Sequence, residues 1–143
     1  MLERDAVIVA CAISAGIHGA LAPGHFDEGT GAGLGFVAAT VALAGLVIWL
    51  TLRPDSRPAL GAAAATFAGL IVSYALATTT GLPVIHPDPE PVDGLALATK
   101  AIEAVGLLAA AGLLRRPVAV TLTHAKGTPA WTRTGPRAQS HSR

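Results

Sequence analysis

The fold of this chain is decided by residues 31–52, GAGLGFVAATVALAGLVIWLTL, which contain no charged side chain. A helix needs about 20 apolar residues to cross a hydrocarbon core about 30 Å thick, so this segment is long enough. Three further apolar segments flank it, at residues 6–22, 59–82 and 92–114. None of them shows the alternation of polar and apolar residues that marks the strands of a membrane β-barrel. The sequence therefore predicts an all-α fold, a membrane four-helix bundle.

The composition of the whole chain agrees with helices that face lipid. Of its 143 residues, 52% are hydrophobic and only 13% are charged, whereas soluble domains carry about 25% charged residues. A soluble domain of this length would need more polar surface to cover its core. The expected partner of the outer surface is therefore the lipid bilayer. No basic face or sequence motif indicates binding to nucleic acid.

The basic residues predict how the bundle is oriented. Arg4 precedes the first span, and Arg53 and Arg57 lie between the second and the third. The segment after the fourth span carries Arg115, Arg116, Lys126, Arg133, Arg137 and Arg143. The other two loops, residues 23–30 and 83–92, contain no Lys or Arg. Because basic loops stay in the cytoplasm, both termini are expected to be cytoplasmic.

The chain divides into two parts. Residues 1–115 hold the four spans, and residues 116–143 are rich in Thr, Ser, Gly, Pro and basic residues, which predicts a disordered cytoplasmic tail. A cleaved signal peptide is the alternative for the first span, because residues 20–22, Ala-Leu-Ala, resemble a cleavage site. The leader lacks a net positive side-chain charge and Pro23 would follow the cut, so the span is expected to remain.

Two local patterns predict helix ends and helix contacts. The pair Pro23-Gly24 is expected to end the first helix, because proline removes a backbone donor and clashes with the preceding turn. Small residues recur at spacing four, which favours close approach of helices in lipid. The residues with this spacing are Ala12, Gly16 and Ala20 in the first span and Gly61, Ala65 and Gly69 in the third.

Histidines and carboxylates gather on the predicted outer side. The candidate metal ligands are His18, His25, Glu28, His86 and Glu103. Imidazole and carboxylate ligands suit zinc, copper, iron or manganese. At a rise of 1.5 Å per residue, His18 and Glu103 would differ in depth by roughly 8 Å in untilted helices. They could therefore share a cavity, although the spacing does not establish contact. The single cysteine, Cys11, is expected to be a small buried apolar residue.

Glu103 has alternative roles that the sequence leaves open. A carboxylate at membrane depth costs about 2.5–3.5 kcal/mol on insertion scales, so a partner or a proton is expected there. Lys100 stands at i−3 and could form an intrahelical ion pair. His18 could be a neutral histidine bonded to a neighbouring helix, or it could support a carboxylate that binds a proton or a metal ion.

Several short motifs resemble those of small four-helix membrane proteins that are widely encoded in actinobacteria. The matching residues are Gly16-Ile17-His18, His25-x-x-Glu28, Gly81-Leu82-Pro83 with residues 87–92, and Glu103. The family often carries a basic residue before the Gly-Leu-Pro turn, where this chain has Thr78-Thr79-Thr80. The resemblance covers roughly residues 14–113 and implies a bacterial plasma-membrane location. It does not imply any particular reaction.

Three functions remain open at this point. The preferred hypothesis is a noncatalytic membrane protein whose polar site near the outer face binds a metal ion or protons. Such a protein could also serve as an accessory subunit of a larger membrane complex. The alternative is a small transporter or channel that uses Glu103, Lys100 and His18, which would require a homo-oligomer because four helices are few for a pathway. A membrane-embedded metalloenzyme is third, since acid–base groups are present but no activated nucleophile or cofactor motif is.

Overall fold

A computed structural model describes residues 2–81, 89 and 91–117 and confirms the all-α fold. The four helices are α1 (Leu2–Glu28), α2 (Thr30–Leu52), α3 (Arg57–Thr79) and α4 (Gly94–Arg115). Each is long and apolar enough to cross a membrane. The predicted tail beyond residue 117 and most of the loop between α3 and α4 lie outside the described residues.

The expected end of α1 at Pro23-Gly24 is wrong, because the helix continues through both residues to Glu28. Only Gly29 separates it from α2. Proline can be accommodated in membrane helices when neighbouring helices hold the segment in place, and α2 does so here. Phe26 packs on Gly33 and the ring of His25 stacks on that of Phe36.

The helices form a ring in the order α1, α2, α3, α4, with α4 also packing on α1. The interface between α2 and α3 is the least extensive of the four. A continuous apolar core fills the half of the bundle near the start of α1. It consists mainly of Val7, Cys11, Leu43, Leu50, Ala63, Phe67 and Ala110, all fully buried or nearly so.

Ion pairs connect the helix ends on this side of the bundle, which we call the basic end. Arg4 pairs with Asp55 at 2.8 Å, and Arg116 pairs with Glu3 at 2.7 Å. The guanidinium of Arg57 donates to backbone carbonyls at the end of α4. The start of α1, the α2–α3 turn and the end of α4 therefore lie together, as an even number of crossings requires.

The two small-residue patterns do not mark contacts between helices of the chain. Ala12, Gly16 and Ala20 are exposed, and an added Cβ at Gly16, Gly61 or Gly69 would meet no neighbouring atom. Close approach occurs instead at Gly33, where an added Cβ would clash with the ring of Phe26, and at Gly106, where it would lie 2.5 Å from Phe67 and 2.8 Å from Ala10. Helices α1, α3 and α4 therefore meet most tightly at a glycine outside both predicted patterns.

Candidate functional site: a polar cavity between the helices

A cavity of about 330 Å³ lies between the four helices in the half of the bundle away from the basic end. Its walls come from the second half of α1, the first half of α2, the second half of α3 and the first half of α4. Most of the lining is apolar, and its polar members are His18, His25, Ser73, Tyr74, Asp93, Thr99 and Lys100. We call this side of the molecule the cavity end.

Glu103 lies beside this cavity and is fully buried. Its carboxylate accepts hydrogen bonds from Lys100 Nζ at 2.6 Å and from Ser14 Oγ at 2.7 Å. The ion pair that the i−3 spacing indicated is therefore formed. A buried carboxylate needs a partner of this kind, because an isolated charge in a medium of low dielectric constant is very costly.

His18 reaches Glu103 from the neighbouring helix, with its Nε2 atom 4.0 Å from Oε1. The sequence estimate placed the two residues at different depths because it ended α1 near Ala22. With α1 extended to Glu28, His18 is about 15 Å from the helix end and Glu103 about 13.5 Å from the start of α4. Extending the helix through Pro23 thus brings these two residues to the same depth.

The hydrogen bonds of the two histidines on α1 fix their neutral tautomers. His18 Nδ1 lies 2.9 Å from the carbonyl oxygen of Ser14, and His25 Nδ1 lies 3.0 Å from that of Leu21. A carbonyl oxygen can only accept, so Nδ1 carries the hydrogen in each neutral ring. The Nε2 atom then keeps its lone pair, which can take up a proton or a metal ion.

We expect nitrogen-15 NMR of the purified protein, at a pH where both rings are neutral, to show the Nδ1–H tautomer for His18 and His25. Single His18→Gln and His25→Gln variants would assign the two signals. The backbone carbonyl supplies the acceptor, so Ser14→Ala should leave the tautomer of His18 unchanged. An Nε2–H tautomer at His18 would contradict this arrangement.

His25 and Glu28 form a second pair nearer the cavity end. His25 Nε2 and Glu28 Oε2 are 3.9 Å apart, and both residues lie on the last turns of α1. The sequence left open whether this His-x-x-Glu segment is helical, and the structure shows that it is. Since His18 and His25 are seven residues apart on one helix, they share a face, and both line the cavity.

The predicted metal ligands are brought together only in pairs. Within residues 2–81, 89 and 91–117, no three His, Cys, Asp or Glu side chains are placed to share one metal ion. His18 approaches Glu103, and His25 approaches Glu28. His86 lies outside the described residues. The five-residue metal site therefore stays a prediction.

Ser14, Phe36 and Tyr74 contribute to the site and were not identified from the sequence. Ser14 stands one helical turn before His18, so the i−4 spacing on a shared helix face could have indicated it. The ring of Phe36 lies 3.6 Å from that of His25 and 5.2 Å from that of His18. Tyr74 lies below Lys100 Nζ, which is 5.6 Å from its ring centre. No pattern in one sequence distinguishes these two aromatic residues from lipid-facing ones.

The hydroxyl group of Tyr74 is buried and has no hydrogen-bond partner among the described residues. Lys100 Nζ, next to it, donates to Glu103 and lies 3.5 Å from the carbonyl oxygen of Leu70. The cavity therefore presents hydrogen-bond donors from α3 and α4 and, from α1, imidazole nitrogens with free lone pairs.

The chain matches no protein-family model, no curated protein and no solved structure, so its function has to be inferred from its own residues.

Proposed function

We propose that this chain is an integral protein of the bacterial plasma membrane that binds a proton at a buried network of His18, Ser14, Glu103 and Lys100. The observation that carries the proposal is the full burial of Glu103 beside the cavity, on a helix long and apolar enough to cross a membrane. Ionisable residues at such positions are rare because they are costly, and they usually mark a site of ion or proton binding.

The contacts within the network suit proton uptake from the cavity. A proton that binds to Nε2 of His18 turns a neutral ring into a cation, and Oε1 of Glu103 lies 4.0 Å from that nitrogen. The new positive charge thus faces a carboxylate in a region of low dielectric constant, where opposite charges attract strongly. His18 therefore accepts the proton, and Glu103 then lies between two positive charges, the protonated ring at Oε1 and Lys100 at Oε2.

Ser14 connects His18 to Glu103, which is a second location for the same proton. The Nδ1–H group of His18 lies 3.3 Å from Ser14 Oγ, and the Ser14 hydroxyl donates to Oε1 of Glu103 at 2.7 Å. Moving one hydrogen along each bond makes Glu103 a neutral acid and leaves His18 with its proton on Nε2, a tautomer confined to this proton-loaded form because the Ser14 carbonyl otherwise favours Nδ1–H. The charge of Lys100 would then be released from its partner.

The basic end is assigned to the cytoplasm and the cavity to the outer half of the membrane. Arg4, Arg53, Arg57, Arg115 and Arg116 all belong to the basic end, and positively charged loops favour the cytoplasmic side. The proton would then enter from the outer side. Among the described residues, the buried side chains between Glu103 and the basic end, around Phe67, are apolar except for the Cys11 thiol, so they offer no path to carry it further.

The apolar core around Phe67 argues against the transporter or channel alternative. Glu103, Lys100 and His18 do lie together, as that alternative requires. A path to the cytoplasm would need the helices to move apart or a second copy of the chain to supply the missing polar groups. The arrangement in the described helices favours a binding site over an open channel.

Infrared difference spectroscopy of the lipid-reconstituted protein tests the proposal. On acidification we expect changes from the His18 ring and the Glu103 carboxyl over one shared pH interval, with both altered in Glu103→Gln. Glu28→Gln is the matched control, because Glu28 is half-exposed and outside the network. If neither His18 nor Glu103 changes protonation while the protein stays folded, the proposal is wrong. Metal analysis of the same sample tests the alternatives. About one metal ion per chain, lost in His18→Ala, would favour the metal-binding site and with it the metalloenzyme hypothesis.

A further inference from the structure

Beyond proton uptake, we propose that the cavity binds a neutral, planar carbonyl compound of the quinone class, which enters from the lipid phase. The proposal concerns binding to cavity residues and does not depend on a change in the protonation of Glu103. It follows from the size of the cavity, the aromatic rings in its wall, the placement of its hydrogen-bond donors, its charge balance and its contact with the loosest seam of the bundle.

The size of the cavity suits a small ring compound. Its volume of about 330 Å³ lies at the lower end of the range of about 300–1,000 Å³ that is usual for small-molecule sites. Apart from Phe36, the wall from α2 is built from the small residues Gly31, Ala32, Gly35 and Ala39, which leaves room along that helix. An added Cβ at Gly35 would meet no atom within 4 Å.

Aromatic side chains line the same space. The rings of His25 and Phe36 are stacked with their centres 3.6 Å apart and their planes at 24°. Tyr74 adds a third ring from α3. Aromatic faces and edges attract other planar rings by dispersion and by their quadrupoles, so the wall favours a conjugated ligand over a flexible aliphatic one.

Two donors in the wall require an acceptor on the ligand. The buried Tyr74 hydroxyl has no partner among the described residues, and an unpaired buried donor is costly. The ammonium group of Lys100 has three hydrogens, of which one is donated to Glu103 and a second to the carbonyl oxygen of Leu70 at 3.5 Å, so one remains for a ligand. A carbonyl oxygen accepts from such donors and adds no charge.

The charge balance favours a neutral ligand over an anion. Lys100 and Glu103 form a close pair at 2.6 Å, so the ammonium charge is already compensated. Asp93 lies in the cavity wall on the side of the α4 start. An anionic ligand would therefore approach two carboxylates for one ammonium group, which is unfavourable where the dielectric constant is low.

The route of entry is the seam between α2 and α3. This interface is the least extensive in the bundle, and the cavity wall includes Leu70, Ser73 and Ala77 from α3 opposite the small residues of α2. Both helices are long and apolar enough to cross a membrane. A ligand dissolved in lipid could therefore reach the cavity between them without crossing an aqueous phase.

The test uses 2,3-dimethyl-1,4-naphthoquinone as the probe, because its substituted ring cannot alkylate Cys11. Its control is 2,3-dimethylnaphthalene, which has the same rings and no carbonyl group. Titration calorimetry of the full-length protein in detergent should show saturable binding of one quinone per chain, about tenfold tighter than the hydrocarbon, as expected for one or two hydrogen bonds. Equal affinity for both compounds, or no saturable quinone binding, would overturn the proposal.

Two pairs of variants locate the site. Tyr74→Phe should weaken quinone binding by about threefold to tenfold, whereas Thr66→Val, which removes a hydroxyl from the same helix outside the cavity wall, should not. Gly35→Leu should fill the cavity and abolish binding. Gly45→Leu is its control, because Gly45 is also exposed with open space beside it but does not line the cavity.

The outcomes separate this proposal from proton binding. Quinone binding that survives both Tyr74→Phe and Gly35→Leu would place the ligand elsewhere and refute the assignment. The infrared titration reads Glu103 and His18 directly, so a protein that takes up the proton but binds no quinone refutes only the ligand. A protein that binds the quinone with His18 and Glu103 unchanged by pH refutes only the proton site.

Discussion

Replacing Glu103 with leucine is expected to destabilise the bundle by about 3 kcal/mol, the lower end of the range of about 3–5 kcal/mol for removing one partner of a buried ion pair. The cause is the ammonium group of Lys100, which has only 16% of its side chain exposed and would lose its carboxylate at 2.6 Å. Ser14 would lose its acceptor as well. Equilibrium unfolding in mixed detergent micelles, compared with wild type, measures the loss.

A second substitution tests the reason for that loss. Adding Lys100→Met to Glu103→Leu removes the unpaired charge, and apolar residues that replace a whole buried ion pair often leave stability unchanged or raised. We therefore expect the double variant to recover most of the lost stability. If it is as unstable as Glu103→Leu alone, the loss comes from packing and the ion-pair explanation is wrong.

Replacing Gly106 with leucine is the other change for which we expect a large effect, a loss of about 3 kcal/mol, the upper end of the usual cost of overpacking. An added Cβ would lie 2.5 Å from Phe67 and 2.8 Å from the Cβ atom of Ala10. Phe67 is fully buried, and Ala10 has no side-chain torsion that could relieve the clash. Helix α4 would have to move away from α1 and α3.

Gly112 provides the matched control on the same helix. It is exposed, and an added Cβ there would meet no atom within 4 Å. Gly112→Leu should leave stability unchanged or raise it by up to about 1 kcal/mol, because glycine is the poorer helix former. Equal effects at the two glycines, measured by thermal unfolding in one detergent, would refute the packing argument.

The fold was predictable because the signals that set it are local. Length and apolar composition are properties of each segment by itself, and they indicated four helices without reference to their neighbours. The pair Lys100–Glu103 was also accessible, since both residues lie on one helix at a fixed spacing. The gathering of basic residues at one end of the bundle was also predictable, because it follows from their positions between the four spans.

The site was predictable only in part because its contacts depend on other helices. Pro23 and Gly24 disfavour helix by intrinsic preference. Helix α1 nevertheless continues past them, and its last turns contact α2. This extension places His18 level with Glu103. Ser14 is one of several small polar residues in the chain, and only the packing of α1 on α4 distinguishes it.

The sequence by itself determined that this chain forms four helices suited to a membrane, because the length of each apolar segment and the charges that flank it are fixed by the order of the residues. The tertiary structure alone decided which faces of those helices meet. The small-residue stripe on α1 lies exposed, while Gly33 and Gly106 are the glycines that side chains of other helices approach most closely. In so apolar a chain, hydrophobicity does not distinguish a lipid-facing surface from a protein-facing one. The cavity and its buried carboxylate therefore arise from side-chain shape and from a few polar contacts between helices.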